Sequence, residues 1–274
     1  PHFCKSALKR YTQWDFIAEV DKAQLPWHEK KLGQLFSDNK SEAILNMLLD
    51  RCDQLGVSIK LDTTIQSIEK QDDERFTLTS AQEVFQCSSL VIATGAMSFP
   101  TMGATDFGHR IARQFGLKVT NTTPGLVPFT FDAKEKARFE GLSGVSIDTE
   151  ISCGKQSFRE NILFTHKGLS GPAVLQISSY WQPGNTITVR CLPDLDLYGD
   201  LKHQQASSPN KHLINILKMH IPERVIERFC ADQDLNKPLQ QYKHSDLEHI
   251  ADFFQKWTFI PSGTEGYKKA EVTL

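Results

Sequence analysis

Residues 90–95 are Leu90-Val91-Ile92-Ala93-Thr94-Gly95, an apolar run that ends in a small residue, a threonine and a glycine. Short apolar runs of this kind are typical of buried strands in a parallel sheet. Extended patterns precede it from Val57 onward, and a glycine-dotted loop and a helical pattern follow it. This order is typical of a doubly wound α/β domain that binds a dinucleotide, in which a late strand ends beside the ligand. We therefore predict an α/β (multi-part α+β) fold class.

The phosphate-binding fingerprint of such a domain does not occur in this sequence. None of the 16 glycines is spaced as G-x-G, so no G-x-G-x-x-G turn can open the domain. The chain also starts with proline rather than with an initiator methionine. We interpret it as the middle of a longer protein that lacks both ends.

Composition excludes several classes of protein. The 274 residues are 39% hydrophobic and 23% charged, which allows two domains or one domain with an insertion. No apolar run approaches the roughly 18 residues of a membrane span, and no secretory signal is recognisable, so we expect a cytoplasmic protein. The six cysteines include no C-x-x-C pair, which predicts reduced, mostly buried thiols and no metal site. A net charge of −2 gives no overall attraction to nucleic acid.

The N-terminal part mixes helical and extended patterns. Apolar spacing predicts one helix over residues 3–21 and another from Ser41 to Gly56. The second helix should bury an apolar stripe of Ile44, Met47, Leu48, Cys52 and Leu55. Residues 57–61 alternate like a strand, and residues 63–87 predict a meander of three short strands.

The pattern changes after Asn121. Glycines and prolines separate segments of period-two alternation, which predicts a β-rich domain, and helical stripes return before the chain ends in a predicted strand, residues 270–274. One of these helices is expected to start with a capping box at Ser245. We predict three parts: residues 1–120, a β-rich domain of residues 121–195 and 257–274, and a helical insert of residues 196–256.

The loop from Gly95 to Gly108 is the first candidate for ligand binding. A strand that ends in Ala93-Thr94-Gly95 lets the backbone approach a dinucleotide closely, since no bulky side chain is in the way. The loop itself could present N–H groups to an anion or to the edge of a flavin ring. The alternative is an ordinary connection to a helix near 106–115 with Asp106 as its N-cap.

Residues 158–172 are the second candidate. Arg159 could clamp an anionic group of a substrate, and His166 could transfer a proton near neutral pH. The alternative is an Arg159–Glu160 ion pair on the surface with a structural histidine. Residues 28–36 predict a turn between strands that could approach a ligand, but their histidine has no metal-ligand spacing.

Four blocks of the sequence resemble one known family. They are residues 90–107, Gly125–Phe129 (Gly-Leu-Val-Pro-Phe), Phe164–Pro172 (Phe-Thr-His-Lys-Gly-Leu-Ser-Gly-Pro) and Gly263–Tyr267 (Gly-Thr-Glu-Gly-Tyr). Along essentially its whole length the chain resembles the bacterial YhiN/HI0933-type flavoproteins, also called BaiN/RdsA-like NAD(P)/FAD-dependent oxidoreductases. We refer to these segments as the four family blocks.

The resemblance implies a fragment of a two-dinucleotide-binding-domain flavoprotein. Residues 1–120 would be part of the FAD domain, the β-rich part would be barrel-like, and the glycine-rich flavin-binding segments at both ends would be missing. Near the cofactor we place Ile65, Ala93, Thr94, Gly95 and Gly103. Such a truncated chain is expected to be inactive alone and not to retain FAD.

Two positions depart from the family pattern. Gln34 stands where many relatives carry arginine in a G-R-x-F-P-like motif, and Ser37 replaces the proline. The resemblance therefore gives little support to an anion contact at this position.

The chemistry implied by the resemblance is reduction of an activated C=C bond. Reduced flavin would deliver hydride to uridine in ribosomal RNA or to a small steroid-like molecule, with NAD(P)H as a possible electron donor. A protein acid would supply the proton, and His166 and Arg159 are our candidates for substrate handling. The alternative is a non-catalytic binding module, in which the β domain and the helical insert dock RNA.

Overall fold

A computed structural model describes residues 2–30 and 33–274. The chain divides into two compact units, residues 1–90 and residues 91–274. Within the described part, no helix is both long and apolar enough to cross a bilayer.

The first unit contains three helices: α1 (Lys5–Arg10), α2 (Gln13–Lys22) and α3 (Lys40–Gln54). The single helix predicted over residues 3–21 is therefore wrong. It is interrupted because Thr12 caps α2: the Thr12 hydroxyl accepts from the N–H of Asp15 at 3.4 Å, and the Thr12 N–H donates to the Asp15 carboxylate at 2.6 Å. A capping residue takes extended rather than helical backbone angles, so the preceding helix has to end there.

The strands of the first unit form two small antiparallel sheets. They are β1 (Trp27–Glu29), β2 (Leu35–Ser37), β3 (Ile65–Lys70), β4 (Phe76–Ser80) and β5 (Val84–Cys87). The first two pair as a hairpin, and the turn predicted over residues 28–36 includes residues 31 and 32, which lie outside the described part. The other three form a meander in the order β3-β4-β5.

Two predicted strands do not form. Residues 57–61 and the run Leu90–Gly95 have no ladder partner among the described residues, and Val91 is 83% exposed. A parallel strand needs neighbours for its backbone hydrogen bonds and helices over both faces, and residues 90–95 have no neighbouring strand in the part of the chain that the structure describes. The stripe predicted to be buried on α3 is likewise only partly covered, since Leu55 remains 62% exposed.

The second unit begins with α4 (Phe107–Gln114) and is dominated by strands. They are β6 (Pro124–Gly125), β7 (Phe129–Thr130), β8 (Ser146–Cys153), β9 (Gln156–Phe164), β10 (Gly168–Ser170), β11 (Ile187–Cys191), β12 (Trp257–Phe259), β13 (Gly263–Thr264) and β14 (Val272–Thr273). Two further helices lie among them: α5 (Ala133–Arg138) and α6 (Pro172–Ser178).

Seven of these strands form one antiparallel sheet in the order β12-β11-β8-β9-β10-β7-β13. Its two edge strands, β12 and β13, are consecutive along the chain and separated only by residues 260–262. So short a connection spans about 14 Å at most, so the sheet must curl until its edges approach each other. Alternate residues of β8 point into the core, where α6 covers them. The outcome is a barrel-like sheet around an apolar core.

Four helices make up the helical region. They are α7 (Leu197–Ser207), α8 (Leu213–Leu217), α9 (Glu223–Phe229) and α10 (His244–Gln255). Their buried stripes join the same hydrophobic core as the sheet. The capping box predicted at Ser245 is displaced: α10 starts at His244, and the backbone N–H of Lys243 donates to the Asp246 carboxylate at 2.9 Å.

The last strand, β14, pairs antiparallel with β6. It is shorter than the strand predicted over residues 270–274. Leu274 and Thr123 exchange backbone hydrogen bonds of 2.8 and 2.9 Å, which extends this pairing by one step. The C-terminal segment is thereby held beside the start of the second unit.

Candidate functional site

The segment that ends at Gly95 lies against the first turn of α4. Gly108 in that turn leaves little room for a side chain, because a Cβ atom would lie 3.2 Å from Thr94 Oγ1 and 3.4 Å from Ile92 Cγ2. Close packing of a helix on a strand end is one reason for glycine in dinucleotide-binding domains. Asp106 is the residue before α4, as in our alternative interpretation, but its carboxylate pairs with Arg110 at 3.1 Å rather than capping the helix.

Gly95 and Gly103 expose the backbone at the start and in the middle of the loop. Their φ angles are +71° and +90°, a region that glycine adopts without strain. A Cβ at either position would meet no atom of the described residues within 4 Å. Ala93 and Thr94 are also exposed. Open backbone of this kind admits the close approach of a flat ring or a phosphate.

Residues near the C-terminus hold this loop. The Met97 N–H donates to Thr273 Oγ1 at 3.1 Å, and the Ser98 and Thr273 hydroxyls are 3.0 Å apart. The Phe99 N–H donates to the carbonyl oxygen of Tyr267 at 3.0 Å. The first and fourth family blocks therefore meet in space.

Phe99 carries backbone strain at this junction. Its φ of +58° lies in the left-handed region, which costs a residue with a side chain about 1–3 kcal/mol. Its side chain is 37% exposed and therefore mostly covered. Backbone strain of this kind persists only where the surroundings impose it, and it is common at functional sites.

Tyr267 has a buried hydroxyl without a partner. The oxygen is inaccessible to solvent and forms no hydrogen bond within the described part of the chain. Leaving a buried hydroxyl unpaired costs about 1–3 kcal/mol, so native proteins rarely do so without reason. The backbone carbonyl of Tyr267 contacts the loop at Phe99, and a ligand would reach the hydroxyl only after the residues that cover it moved.

The third and fourth family blocks are joined by an ion pair. Lys167 Nζ lies 2.7 Å from Glu265 Oε2, and the Glu265 side chain is only 9% exposed. The backbone N–H of Glu265 also donates to the carbonyl oxygen of Pro128, in the second block, at 3.0 Å. All four blocks therefore converge on the end of the sheet that contains β7.

Strand β7 is enclosed on both sides by glycines. Thr130 is opposite Gly168 of β10 and opposite Gly263 of β13. A Cβ on Gly168 would lie 2.3 Å from the carbonyl oxygen of Phe129, so the two strands can approach only because this residue is glycine. The third block is thus shaped by packing as well as by any ligand.

His166 is presented on the turn before β10. Its imidazole is exposed and has no hydrogen-bond or ion-pair partner within residues 2–30 and 33–274. The Thr165 hydroxyl accepts from the N–H groups of Lys167 at 3.2 Å and Gly168 at 3.1 Å, which fixes the turn. Ile65, another predicted site residue, is half-buried at the start of β3 in the first unit.

Arg159 is engaged by two carboxylates. Its guanidinium donates to both oxygens of Asp194, at 2.5 and 2.6 Å, and to Asp148 at 3.0 Å. These hydrogen bonds raise the pKa of Arg159 and lower that of Asp194. The alternative Arg159–Glu160 pair is wrong, because Glu160 instead accepts from the N–H of Asn161. An anionic substrate would have to displace Asp194 to reach this arginine.

Metal binding finds no support in the described residues. Residues 2–30 and 33–274 contain no cluster of three His, Cys, Asp or Glu side chains that could hold an ion. The six cysteines are free thiols, of which Cys153, Cys191 and Cys230 are buried.

Family comparisons agree with this geometry. The profile described as the HI0933-like protein Rossmann domain matches residues 1–150, and that of the HI0933-like protein barrel and H2TH domain matches residues 123–272. The chain belongs to the HI0933-like family. The resemblance inferred from the four blocks is therefore confirmed, as are the mixed α/β class and membership of a family of flavin-dependent oxidoreductases.

Two relatives within the HI0933-like family match the entire chain. One is named ribosomal RNA dihydrouridine synthase of Escherichia coli K12 and is 47% identical over 276 residues. The other has the same name, comes from Haemophilus influenzae Rd and is 42% identical over 280 residues. The match covers 100% of this chain and 69% of each relative.

Sequence reasoning missed several residues of this HI0933-like site. Tyr267 and Glu265 lie in a block that was recognised, but neither was assigned a role, and Thr273 and Phe99 were not singled out. The signal that could have identified Tyr267 and Glu265 was the family block that contains them. Gly263–Tyr267 is too short to form a structural unit, so its match to the family pattern indicates a role in a site. Periodicity could not predict the contact of this block with Phe99, which lies 168 positions earlier in the chain. The roles of Ile65, Ala93, Thr94, Gly95, Gly103, Arg159 and His166 stay predictions.

Proposed function

We propose that this protein is an FAD-dependent reductase of uridine in ribosomal RNA. The observation that carries the proposal is the convergence of the four family blocks around open backbone at Gly95 and Gly103 and the unpartnered hydroxyl of Tyr267. The substrate class follows from the names of the relatives. We place the reaction in the cytoplasm.

The residues of the second unit proposed to hold FAD are Ala93, Thr94, Gly95 and Gly103, and Ile65 of the first unit stays a separate prediction. Bound FAD would supply hydride from its reduced form, and a nicotinamide nucleotide is the proposed source of that hydride. The glycines offer backbone without a Cβ in the way, and the Tyr267 hydroxyl offers a hydrogen bond that no described residue uses.

The reaction adds one hydride and one proton across the C5=C6 bond of uracil. His166 is the proposed proton donor, because histidine is the commonest general acid and this imidazole is exposed and unpaired. Arg159 is the weaker prediction for substrate handling, since Asp148 and Asp194 already satisfy its guanidinium. A small steroid-like substrate gains no support from the relatives.

The decisive experiment uses the protein as its gene encodes it. Purified protein is supplied with FAD, a nicotinamide nucleotide and ribosomal RNA, and the RNA is digested and analysed by mass spectrometry. We expect uridine to gain two hydrogens at a defined site, with consumption of the nicotinamide nucleotide. RNA of unchanged mass, together with protein that binds no flavin, would refute the proposal.

The alternative is a non-catalytic RNA-docking module. It has one observation in its favour, a basic cleft beside His166 that is described below. The same experiment separates the two functions, because a docking module would bind RNA without reducing it.

We propose that residues 1–274 alone bind FAD weakly. The reason is local: the sequence contains no G-x-G spacing, so it offers no phosphate-cradling turn. Titration with FAD, followed by flavin fluorescence, tests this directly. A stoichiometric complex with these residues would overturn it.

A further inference from the structure

A cleft of about 380 Å³ opens on the second unit where α5 meets the turn before β10. Its lining includes Lys136, Phe139, Glu140, Gly141 and His166. The floor is rigid, because Phe139 packs against the rings of Phe164, Phe229 and Trp257 at centroid distances of 5.1–5.5 Å. The cleft is therefore a preformed feature of the fold.

Cations without acidic partners surround Gly141 at the rim. Arg224 of α9 donates a hydrogen bond to the Gly141 carbonyl oxygen, and an Arg228 nitrogen lies 3.5 Å from the position of a Cβ on Gly141. Lys136 lines the cleft from α5. None of these three takes part in an ion pair among the described residues, whereas their neighbours Arg138 and Lys218 pair with glutamates.

The acidic residues nearby do not neutralise this rim. Glu135 lies 3.8 Å from Arg138, and burial raises the pKa of Glu135. Arg138 also lies over the ring of Phe139, 4.9 Å from its centroid, and so belongs to the packing. Of the carboxylates, only Glu140 lines the cleft, against Lys136 on the lining and two arginines at the rim. The lining alone is balanced, and the two arginines beside Gly141 give the rim its excess of cations.

We propose that this cleft binds the sugar-phosphate backbone of the RNA substrate. Arginine and lysine without carboxylate partners match the phosphate groups of RNA, and phosphate contacts supply most of the affinity in nucleic-acid binding. This inference rests on the proposed function, which supplies RNA as the partner.

The position of the cleft agrees with this role. His166 lines it, and the next residue, Lys167, forms the ion pair with Glu265. Two residues beyond Glu265, Tyr267 holds the loop at Phe99. A strand of RNA in the cleft would therefore lie next to the turn that connects to the candidate cofactor loop.

The test compares two triple variants. Lys136→Gln/Arg224→Gln/Arg228→Gln removes the rim charges, and Lys155→Gln/Lys211→Gln/Lys243→Gln removes as many from exposed lysines elsewhere in the same unit. Binding of a ribosomal RNA transcript is measured by fluorescence anisotropy over a range of salt concentrations. We expect the rim variant to bind about tenfold or more weaker and its salt slope to fall by about two, since each phosphate contact contributes roughly 0.7–0.9 to the slope. The control should change by about twofold at most.

Separate readouts keep the outcomes distinct. Thermal unfolding checks that the rim variant folds. Arg228→Gln alone, which breaks no hydrogen bond among the described residues, serves as the milder variant and should bind about threefold weaker. Unchanged RNA affinity in both rim variants overturns the cleft proposal. An equal loss of RNA affinity in the control variant does so too, as does polyglutamate that competes for the protein as well as RNA does. RNA binding that depends on the rim but yields no dihydrouridine would support the cleft proposal and refute the proposed reduction.

Discussion

The backbone N–H of Phe99 donates a hydrogen bond of 3.0 Å to the carbonyl oxygen of Tyr267, across more than half of the chain. At this contact Phe99 has a strained, left-handed backbone, and the buried hydroxyl of Tyr267 is unpaired. The hydrogen bond therefore joins a residue with backbone strain to a residue with an unpaired buried hydroxyl. Each of these features lowers the stability of the folded protein. Such a combination is expected where a site is held ready for a ligand.

Tyr267→Phe should weaken flavin binding without harming the fold. Loss of one hydrogen bond to a ligand costs about 0.5–1.5 kcal/mol, or roughly 2- to 13-fold in Kd. The protein itself should be as stable or slightly more stable, because an unpaired buried hydroxyl is removed. Flavin fluorescence titration and urea unfolding of the protein as its gene encodes it measure the two effects.

A matched control for Tyr267 is Tyr242→Phe. The Tyr242 hydroxyl donates to the carbonyl oxygen of Asp234 at 2.5 Å, so its removal should lower stability and leave flavin affinity unchanged. If Tyr267→Phe instead lowers stability and leaves flavin affinity intact, the hydroxyl has a structural partner and our assignment fails.

The side chains of Lys167 and Glu265 should show a large coupling free energy. Lys167→Met leaves a carboxylate with 9% side-chain exposure without its cation, which should cost about 1–3 kcal/mol of unfolding free energy. Glu265→Gln removes the buried charge instead and should cost less. A double-mutant cycle by urea denaturation measures the coupling between the two side chains.

The exposed pair Lys256–Asp252 provides the comparison. Its side chains are 68% and 38% exposed, so the same cycle should give only about 0.3–0.5 kcal/mol. Equal coupling in the two cycles would mean that burial of Glu265 contributes nothing.

Local rules predicted most elements of the second unit. Period-two alternation predicted a β-rich domain where β8 and β11 lie, and the helical stripes predicted the region of α7 to α10, because each pattern is set by neighbours within a few residues. The rules failed at Leu90–Gly95, where an apolar run predicts a strand but forms none without a neighbouring strand. They also failed at Thr12, where one side-chain cap outweighs a continuous apolar stripe.

The candidate site was only partly predictable for a related reason. Glycine positions such as Gly95 and Gly103 follow from local conformation, and the sequence located them. The contacts of Thr273 and Tyr267 with the loop depend on pairing between distant segments, which no local pattern encodes. The hydrogen bonds between Arg159 and Asp194 could not be predicted for the same reason, since the two residues are 35 positions apart.

The buried thiols should be nearly unreactive. Burial raises the pKa of Cys191 and of Cys230 to about 12 each. Only the thiolate reacts, and at pH 8 about one thiol in 10⁴ would be ionised in each case. Reaction with a disulfide reagent should therefore be slow at both sites and rise about tenfold per pH unit, while the exposed Cys4 reacts fast.

Peptide mapping after timed labelling distinguishes the six cysteines, and labelling in denaturant shows that each can react. Labelling of Cys191 in the native protein as fast as that of Cys4 would contradict its burial in the barrel core.

Gly168→Ala should disrupt the site through packing alone. The added Cβ would lie 2.3 Å from the Phe129 carbonyl oxygen and 2.9 Å from the Phe131 nitrogen, both of them backbone atoms that cannot rotate away. We expect a loss of more than about 3 kcal/mol of unfolding free energy, or failure to fold.

Gly263→Ala is the matched control, because Gly263 is opposite the same residue, Thr130, on the other side of β7. Its Cβ would meet only the Thr130 hydroxyl at 3.5 Å, an ordinary contact, and should change stability by about 1 kcal/mol or less. Because both glycines lie in strands and neither needs a left-handed backbone, the difference between the variants isolates the close approach of β10 to β7. Similar unfolding free energies for the two variants would mean that β10 can move outward. The close approach of β10 to β7 would then not be the reason for Gly168 in the third family block.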